Sequence, residues 1–134
     1  MIENVGDVVE RRVRWTADDI VRLASDVGDT NPLHHDPLYA EGTRFGALIA
    51  SGSHTVAYLI ALLGAQSTPA RPGVGLEFTF KLLGPARVGD ELLFRWEILA
   101  KTESDRPKGT VLELNGVVVD GSGRTIVSAT AKIL

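Results

Sequence analysis

Cysteine is absent from this chain of 134 residues. Disulfides, thiolate nucleophiles and cysteine-held zinc are thereby excluded. Long apolar runs are missing too: no stretch approaches the roughly 20 apolar residues that a membrane-spanning helix needs. The opening MIENVGDVVERRVRW lacks the basic-then-apolar order of a secretory leader. Positive charge is not in excess. Fourteen basic residues stand against 17 acidic ones, for a formal net charge of −3. That balance argues against a surface built to neutralise nucleic-acid phosphates. No Gly-x-Ser-x-Gly elbow, Gly-x-Gly-x-x-Gly turn or Walker loop occurs, so neither a serine-hydrolase nor a nucleotide-phosphate fold is indicated. What remains is a chain that is 44% hydrophobic and 23% charged, of the size of one domain. The expectation is one soluble cytoplasmic domain over residues 1–134, with no membrane or nucleic-acid partner.

What is present falls into two halves. Val8 to Trp15 reads as a polar edge strand. Thr16 followed by Asp19 approximates a capping box, and Ile20, Leu23, Ala24 and Val27 continue at helical spacing until Gly28. Asp36-Pro37 reads as the cap and first residue of a short helix to about Glu41. The run from Phe45 to Gly64 carries no charge. Its second part is apolar nearly all round, which predicts a buried helix capped by Ser51 and ended by Gly64. After a Pro/Gly-rich link the period becomes two. Leu76 to Leu82, Leu92 to Ile98, Thr110 to Val119 and Thr125 to Ile133 read as a meander of four strands. Ser104 to Gly109 reads as a loop and Asp120 to Gly123 as a hairpin turn. Helices followed by strands predict an α+β domain in which an antiparallel sheet covers a hydrophobic helix.

Titratable groups concentrate in one stretch, Gly28-Asp29-Thr30-Asn31-Pro32-Leu33-His34-His35-Asp36, which holds two of the three histidines. Asp29 and His34 lie across a turn imposed by Asn31-Pro32. Such a turn can bring a carboxylate and an imidazole close enough to share a water, and the pair can then move its proton. A plain structural reading competes: Asp and Asn in such turns often bond their own backbone. His34-His35-Asp36 offers little as a metal site, because adjacent side chains in an extended segment diverge and no His-x-x-x-His pair exists. His54, one turn into the buried helix, reads as a core histidine with a hydrogen-bonded ring, or as one facing a partner subunit. The N–H of Gly52, at the start of that helix, is a potential donor to a carbonyl oxygen that gains negative charge. Its other reading is that glycine merely permits close packing.

The run GDTNPLHHD followed by FGALIASG resembles the signature of the MaoC-like, or (R)-specific enoyl-CoA hydratase, family. The order of elements extends that resemblance over essentially the whole chain. It implies a single hotdog domain, with a central buried helix wrapped by an antiparallel sheet. It implies that Asp29 and His34 are the catalytic pair, that Asn31 orders their turn, and that Gly52 N–H binds the thioester oxygen. Phe45, Ile49 and Ser51 become pocket residues. The implied reaction is hydration of a trans-2-enoyl thioester to the (3R)-3-hydroxyacyl thioester, or the reverse, a lyase reaction of fatty acid metabolism. No metal or other cofactor is implied, and the substrate is carried on CoA or acyl-carrier protein. A homodimer, or a higher oligomer, is implied, with active sites near the subunit interface. Many members have His-Gly where this chain has Ser51-Gly52. Two other readings stand beside this one: a hotdog acyl-CoA thioesterase, and a non-catalytic acyl-thioester-binding subunit. Arg44, Arg71, Lys81, Arg87 and Arg106 are the cations that either meet a phosphate-bearing carrier or are solvated surface charges.

Overall fold

The computed structural model describes residues 2–134. Among these, strand β1 (Val8–Arg14) precedes helices α1 (Ala17–Asp26), α2 (Pro37–Glu41) and α3 (Gly52–Gly64). Strands β2 (Gly75–Leu82), β3 (Glu91–Asp105), β4 (Lys108–Val119) and β5 (Thr125–Ile133) follow. The helix ends are where the capping residues put them. Thr16 Oγ1 accepts from the Asp19 N–H at 3.1 Å, and Asp19 Oδ2 accepts from the Thr16 N–H at 2.9 Å. Asp36 Oδ1 accepts from the Tyr39 N–H at 3.1 Å, and Ser51 Oγ from the His54 N–H at 3.3 Å. None of the described helices is long and apolar enough to cross a membrane.

The five strands form one antiparallel sheet in the order β1-β3-β4-β5-β2. It packs against α3, whose Leu59, Leu62 and Leu63 are buried. Alternation in β3 sends Leu92, Phe94, Trp96 and Ile98 into the core, while Arg95 and Glu97 face the other way and pair at 3.7 Å. One hydrogen bond ties helix to sheet: Trp96 Nε1–H donates to the Leu59 carbonyl at 2.7 Å. Gly116, opposite Trp96 on β4, makes room for the indole, since a Cβ there would lie 2.6 Å from it.

Two sequence expectations are corrected here. The strands after α3 are not a four-strand meander. Only β3, β4 and β5 run hairpin-wise; β2 pairs with β5 and not with β3. The link from β2 to β3 therefore crosses the sheet, and on its way Leu83 and Gly84 N–H donate to the Ile126 carbonyl. Period-two patterning assigns faces, not neighbours, so it could not reveal this. The second correction concerns Ser104 to Gly109. β3 continues to Asp105 and β4 begins at Lys108, with register pairs Ser104↔Gly109 and Asp105↔Lys108. Residues 99–108 are mostly exposed, beyond a bulge between Ile98 and Ala100. A ribbon with solvent on both faces needs no apolar side, and its backbone ladder is blind to the polar side chains.

His54 is buried and stacks on Trp15, ring centroids 3.8 Å apart. The expected hydrogen bond is missing at Nδ1, which has no partner among the described residues; Trp15 Nε1 has none either. Burial pushes the imidazole from 6.5 down to about 4; the nearby Asp19 opposes the shift and Arg22 adds to it. Below pH 6.5 the unfolded chain gains a proton that the folded chain refuses, so stability falls as the pH drops from 6.5 toward 4. The loss reaches about 3 kcal/mol. Melting curves against pH check it: relative to the native chain, His54→Phe is expected to flatten this limb. Parallel native and variant curves would contradict it. Gly116→Val is expected to cost about 1–3 kcal/mol by overpacking the Trp96 indole. A thermal midpoint equal to the native one would contradict that packing.

Candidate active site

The stretch after α1 turns at Gly28, whose φ of +78° suits glycine. Asp29 N–H then donates back to the Ala24 carbonyl at 2.8 Å, seating Asp29 on the end of α1. Asp29 Oδ1 accepts from the Asn31 N–H at 3.1 Å, and Asn31 Oδ1 accepts from the Leu33 N–H at 3.0 Å. The plain structural reading of this turn is thus realised. It uses only one carboxylate oxygen of Asp29. Pro32–His34 form a short 3-10 turn, and it brings His34 back to the other oxygen: Asp29 Oδ2 lies 3.5 Å from His34 Nε2.

The chemistry follows from the far side of the ring. His34 Nδ1 lies 2.8 Å from the Ile49 carbonyl, which can only accept. Nδ1 therefore carries a proton, and in the neutral form of the ring Nε2 faces Asp29 as a bare acceptor. Two acceptors facing each other at that spacing suit a donor with two protons, such as water. Next door, His35 Nε2 lies 2.5 Å from the main-chain carbonyl of Asp29. The divergence expected for adjacent histidines in an extended segment does not occur, because the chain here is a tight turn. One ring meets the side chain of Asp29 and the other its backbone. Among the described residues no three His, Asp or Glu side chains are placed to share an ion.

Residues 48–50 join this turn to the start of α3. Ile49 N–H donates to the Leu33 carbonyl at 3.1 Å. On the other edge, Ala50 N–H donates to Ala86 and Val88 N–H to Leu48, each at 2.9 Å. Ser51, 1% exposed, caps α3, and Gly52 is its first residue. As a first-turn donor the Gly52 N–H has no partner within the helix. The packing reading of this glycine also holds: a Cβ would lie 2.7 Å from Leu82 Cδ1. Ile49 is buried and Phe45 half-buried. Both contribute carbonyls, Ile49 to His34 and Phe45 to the Arg87 Nε–H at 2.9 Å. These backbone roles carry no side-chain signature, and the sequence reading missed them, along with the bond from His35. Of the five cations, Arg44 lies over the Phe45 ring and Arg71 pairs with Glu3.

A cavity of about 430 Å³ opens at the other end of α3, lined by Ile60, Leu63, Phe78, Leu112 and Ile133 among others. It includes Gly64 but none of Asp29, His34 or Gly52. Twelve residues of helix rise separate Gly64 from Gly52, about 18 Å. The polar cluster sits instead toward the N-terminal end of the helix, linked to it through residues 48–50.

The chain is similar to known proteins in both sequence and fold. It is 34% identical over 109 residues to an (R)-specific enoyl-CoA hydratase of Aeromonas caviae, covering 80% of this chain and 78% of that one. It is 32% identical over 83 residues to a 3-hydroxybutyryl-CoA dehydratase of Methylorubrum extorquens, covering 62% of this chain and 52% of that one. The match therefore spans about half the length of the second relative. The solved structure of the (R)-hydratase of A. caviae involved in PHA biosynthesis superposes with a TM-score of 0.86 at 28% identity, covering 98% of this chain and 96% of that one. The fold is accordingly the hotdog fold that the resemblance implied. Residues 3–118 match the MaoC like domain. With most of the chain inside that match, the protein belongs to the MaoC-like domain family.

Proposed function

We propose that the protein adds water across the double bond of a trans-2-enoyl thioester, giving the (3R)-3-hydroxyacyl thioester, or runs the reverse dehydration. The observation that carries this reading is the pair of acceptors, Asp29 Oδ2 and His34 Nε2, 3.5 Å apart with one face of each engaged elsewhere. The family and the hydratase and dehydratase names of its relatives support it.

The atoms balance without a redox partner. Water bound between the two acceptors loses a proton as its oxygen bonds to Cβ. The π electrons move toward the thioester, and its carbonyl oxygen gains enolate charge. The Gly52 N–H, at the positive end of α3, donates to that oxygen. The proton held by the Asp29/His34 pair then passes to Cα, completing syn addition. Asn31 keeps the turn in shape, while Phe45, Ile49 and Ser51 line the approach.

The carrier is CoA or acyl-carrier protein, and the proposed assembly is a homodimer. The sheet edges support the latter. β1 carries Glu10, Arg11, Arg12 and Arg14, charges that discourage pairing, whereas β2 and its flank expose Leu76, Leu82 and Leu83 at 41, 59 and 58%. Sedimentation equilibrium is expected to return twice the 14.4 kDa chain mass; a mass of one chain would overturn the dimer.

Hydration of crotonyl-CoA, followed by loss of enoyl absorbance, tests the reaction. The native protein is expected to turn over. Asp29→Asn is expected to lose activity by about 10²–10⁴-fold, with folding and substrate binding intact. A fully active Asp29→Asn variant would remove Asp29 from the mechanism. Failure of the native protein on a panel of enoyl and 3-hydroxyacyl thioesters would favour thioester hydrolysis or binding without turnover.

A further inference from the structure

Asp29 is restrained at three points. Its N–H is bound to the Ala24 carbonyl, its Oδ1 to the Asn31 N–H, and its carbonyl to the ring of His35. The last of these is unlike the others. The first two are local turn bonds that any well-formed helix end and Asx turn make. The third is a side chain reaching back across six residues, at the short distance of 2.5 Å. The Asp29 carbonyl can only accept, so His35 Nε2 must carry the hydrogen. His35 is half-buried and belongs to the same short turn as His34. The two rings therefore have opposite tautomers for a stated reason: His34 is protonated at Nδ1 by its bond to Ile49, and His35 at Nε2 by its bond to Asp29.

We propose that His35 is a positioning residue, whose Nε2–H holds the Asp29 backbone so that Oδ2 faces His34 Nε2. This rests on the hydration reading of the site. Rotating the Asp29 peptide would swing the carboxylate relative to the ring of His34, which is anchored separately by Ile49. The spacing between the two acceptors is then set by two independent clamps, one on each partner. A bound water needs both to stay in place, and misplacement by an ångström costs much of the advantage of preorganisation. His35 itself exchanges no proton with substrate.

Three variants test this, with crotonyl-CoA hydration and nuclear magnetic resonance as readouts. His35→Leu removes the donor; His35→Phe removes it while keeping a ring, and serves where the leucine variant does not fold. His35→Gln keeps an N–H at nearly the same reach. The donor-less variants are expected to lose about 100-fold in kcat with KM changed by less than about twofold. His35→Gln is expected to recover most of the loss. In ¹⁵N and ¹³C spectra, native His35 should be the Nε2–H tautomer. The Asp29 carboxylate carbon and His34 Nε2 should shift in the donor-less variants and stay near native in His35→Gln. Native kcat in His35→Leu or His35→Phe would overturn the proposal, as would a glutamine variant as impaired as they are. A native protein that hydrates no enoyl thioester refutes the reaction instead. The resonances then decide the positioning role alone, and unchanged Asp29 and His34 signals in the donor-less variants would end it.

Discussion

Helix α3 cannot exist in water on its own terms. Its sequence, GSHTVAYLIALLG, offers no polar face to solvent, so it must be covered. The sheet covers only the side of Leu59, Leu62 and Leu63; Ala57, Ile60 and Ala61 are exposed on the other, where the sequence predicts near-total burial. The Trp96 bond to the Leu59 carbonyl fixes where along the helix the cover sits. Non-directional burial alone would let an apolar helix slide or rotate against an apolar sheet. A buried indole N–H that must find an acceptor removes that freedom. Gly116 is part of the same constraint, because the ring fits only where the opposite strand has no side chain. Once the helix is registered, its N-terminus is registered too. Ser51 and Gly52 are then held against Leu82 on one side and residues 48–50 on the other.

The polar turn works by the opposite economy. Around Asp29 nearly every main-chain and side-chain group is spent on structure: one N–H, one carbonyl and one carboxylate oxygen. What is left over is a single oxygen, and it is aimed at a single ring nitrogen. His34 is handled in the same way, with Nδ1 committed to Ile49. A turn in which only these two atoms are left free has little reorganisation to undergo when a ligand meets them. The backbone-bonding and water-holding readings of this turn are therefore not rivals. The first is the means by which the second becomes geometrically possible.

Much of this was legible before any coordinates. Thr16, Asp36 and Ser51 mark helix starts because the orphan N–H groups of a helix need a short oxygen nearby, a strictly local demand. The alternation from Leu92 to Ile98 is equally local. The pairing of β2 with β5 is not, since any strand of the right period can lie beside any other. The ribbon at Ser104 to Gly109 is not legible, because a two-sided solvated hairpin has the same polar composition as a loop. At the candidate site, the approach of Asp29 and His34 is legible because their side chains mark the turn between them. The resemblance makes Ile49 a pocket residue, whereas it holds His34 through its carbonyl, which every residue has. The bond from His35 to the Asp29 carbonyl is not legible either, because an extended chain would send neighbouring side chains apart and this tight turn does not.

The presence of two proton-handling groups bears on which thioester chemistry suits the site. Hydrolysis of a thioester ejects a thiolate, and with a thiol pKa of about 8.5 such a group departs without much help from an acid. A single base to activate water, with a donor for the carbonyl oxygen, would suffice. Addition to an enoyl thioester makes a different demand. The proton removed from water has to be kept close and returned to carbon, because the enolate is the intermediate that must be quenched. Two acceptors that face each other, anchored from opposite sides, can hold a proton between them through that interval. α3 also carries no carboxylate from Gly52 to Gly64 that could serve as such a single base. The chemistry that needs both Asp29 and His34 is the one in which a proton leaves oxygen and arrives at carbon.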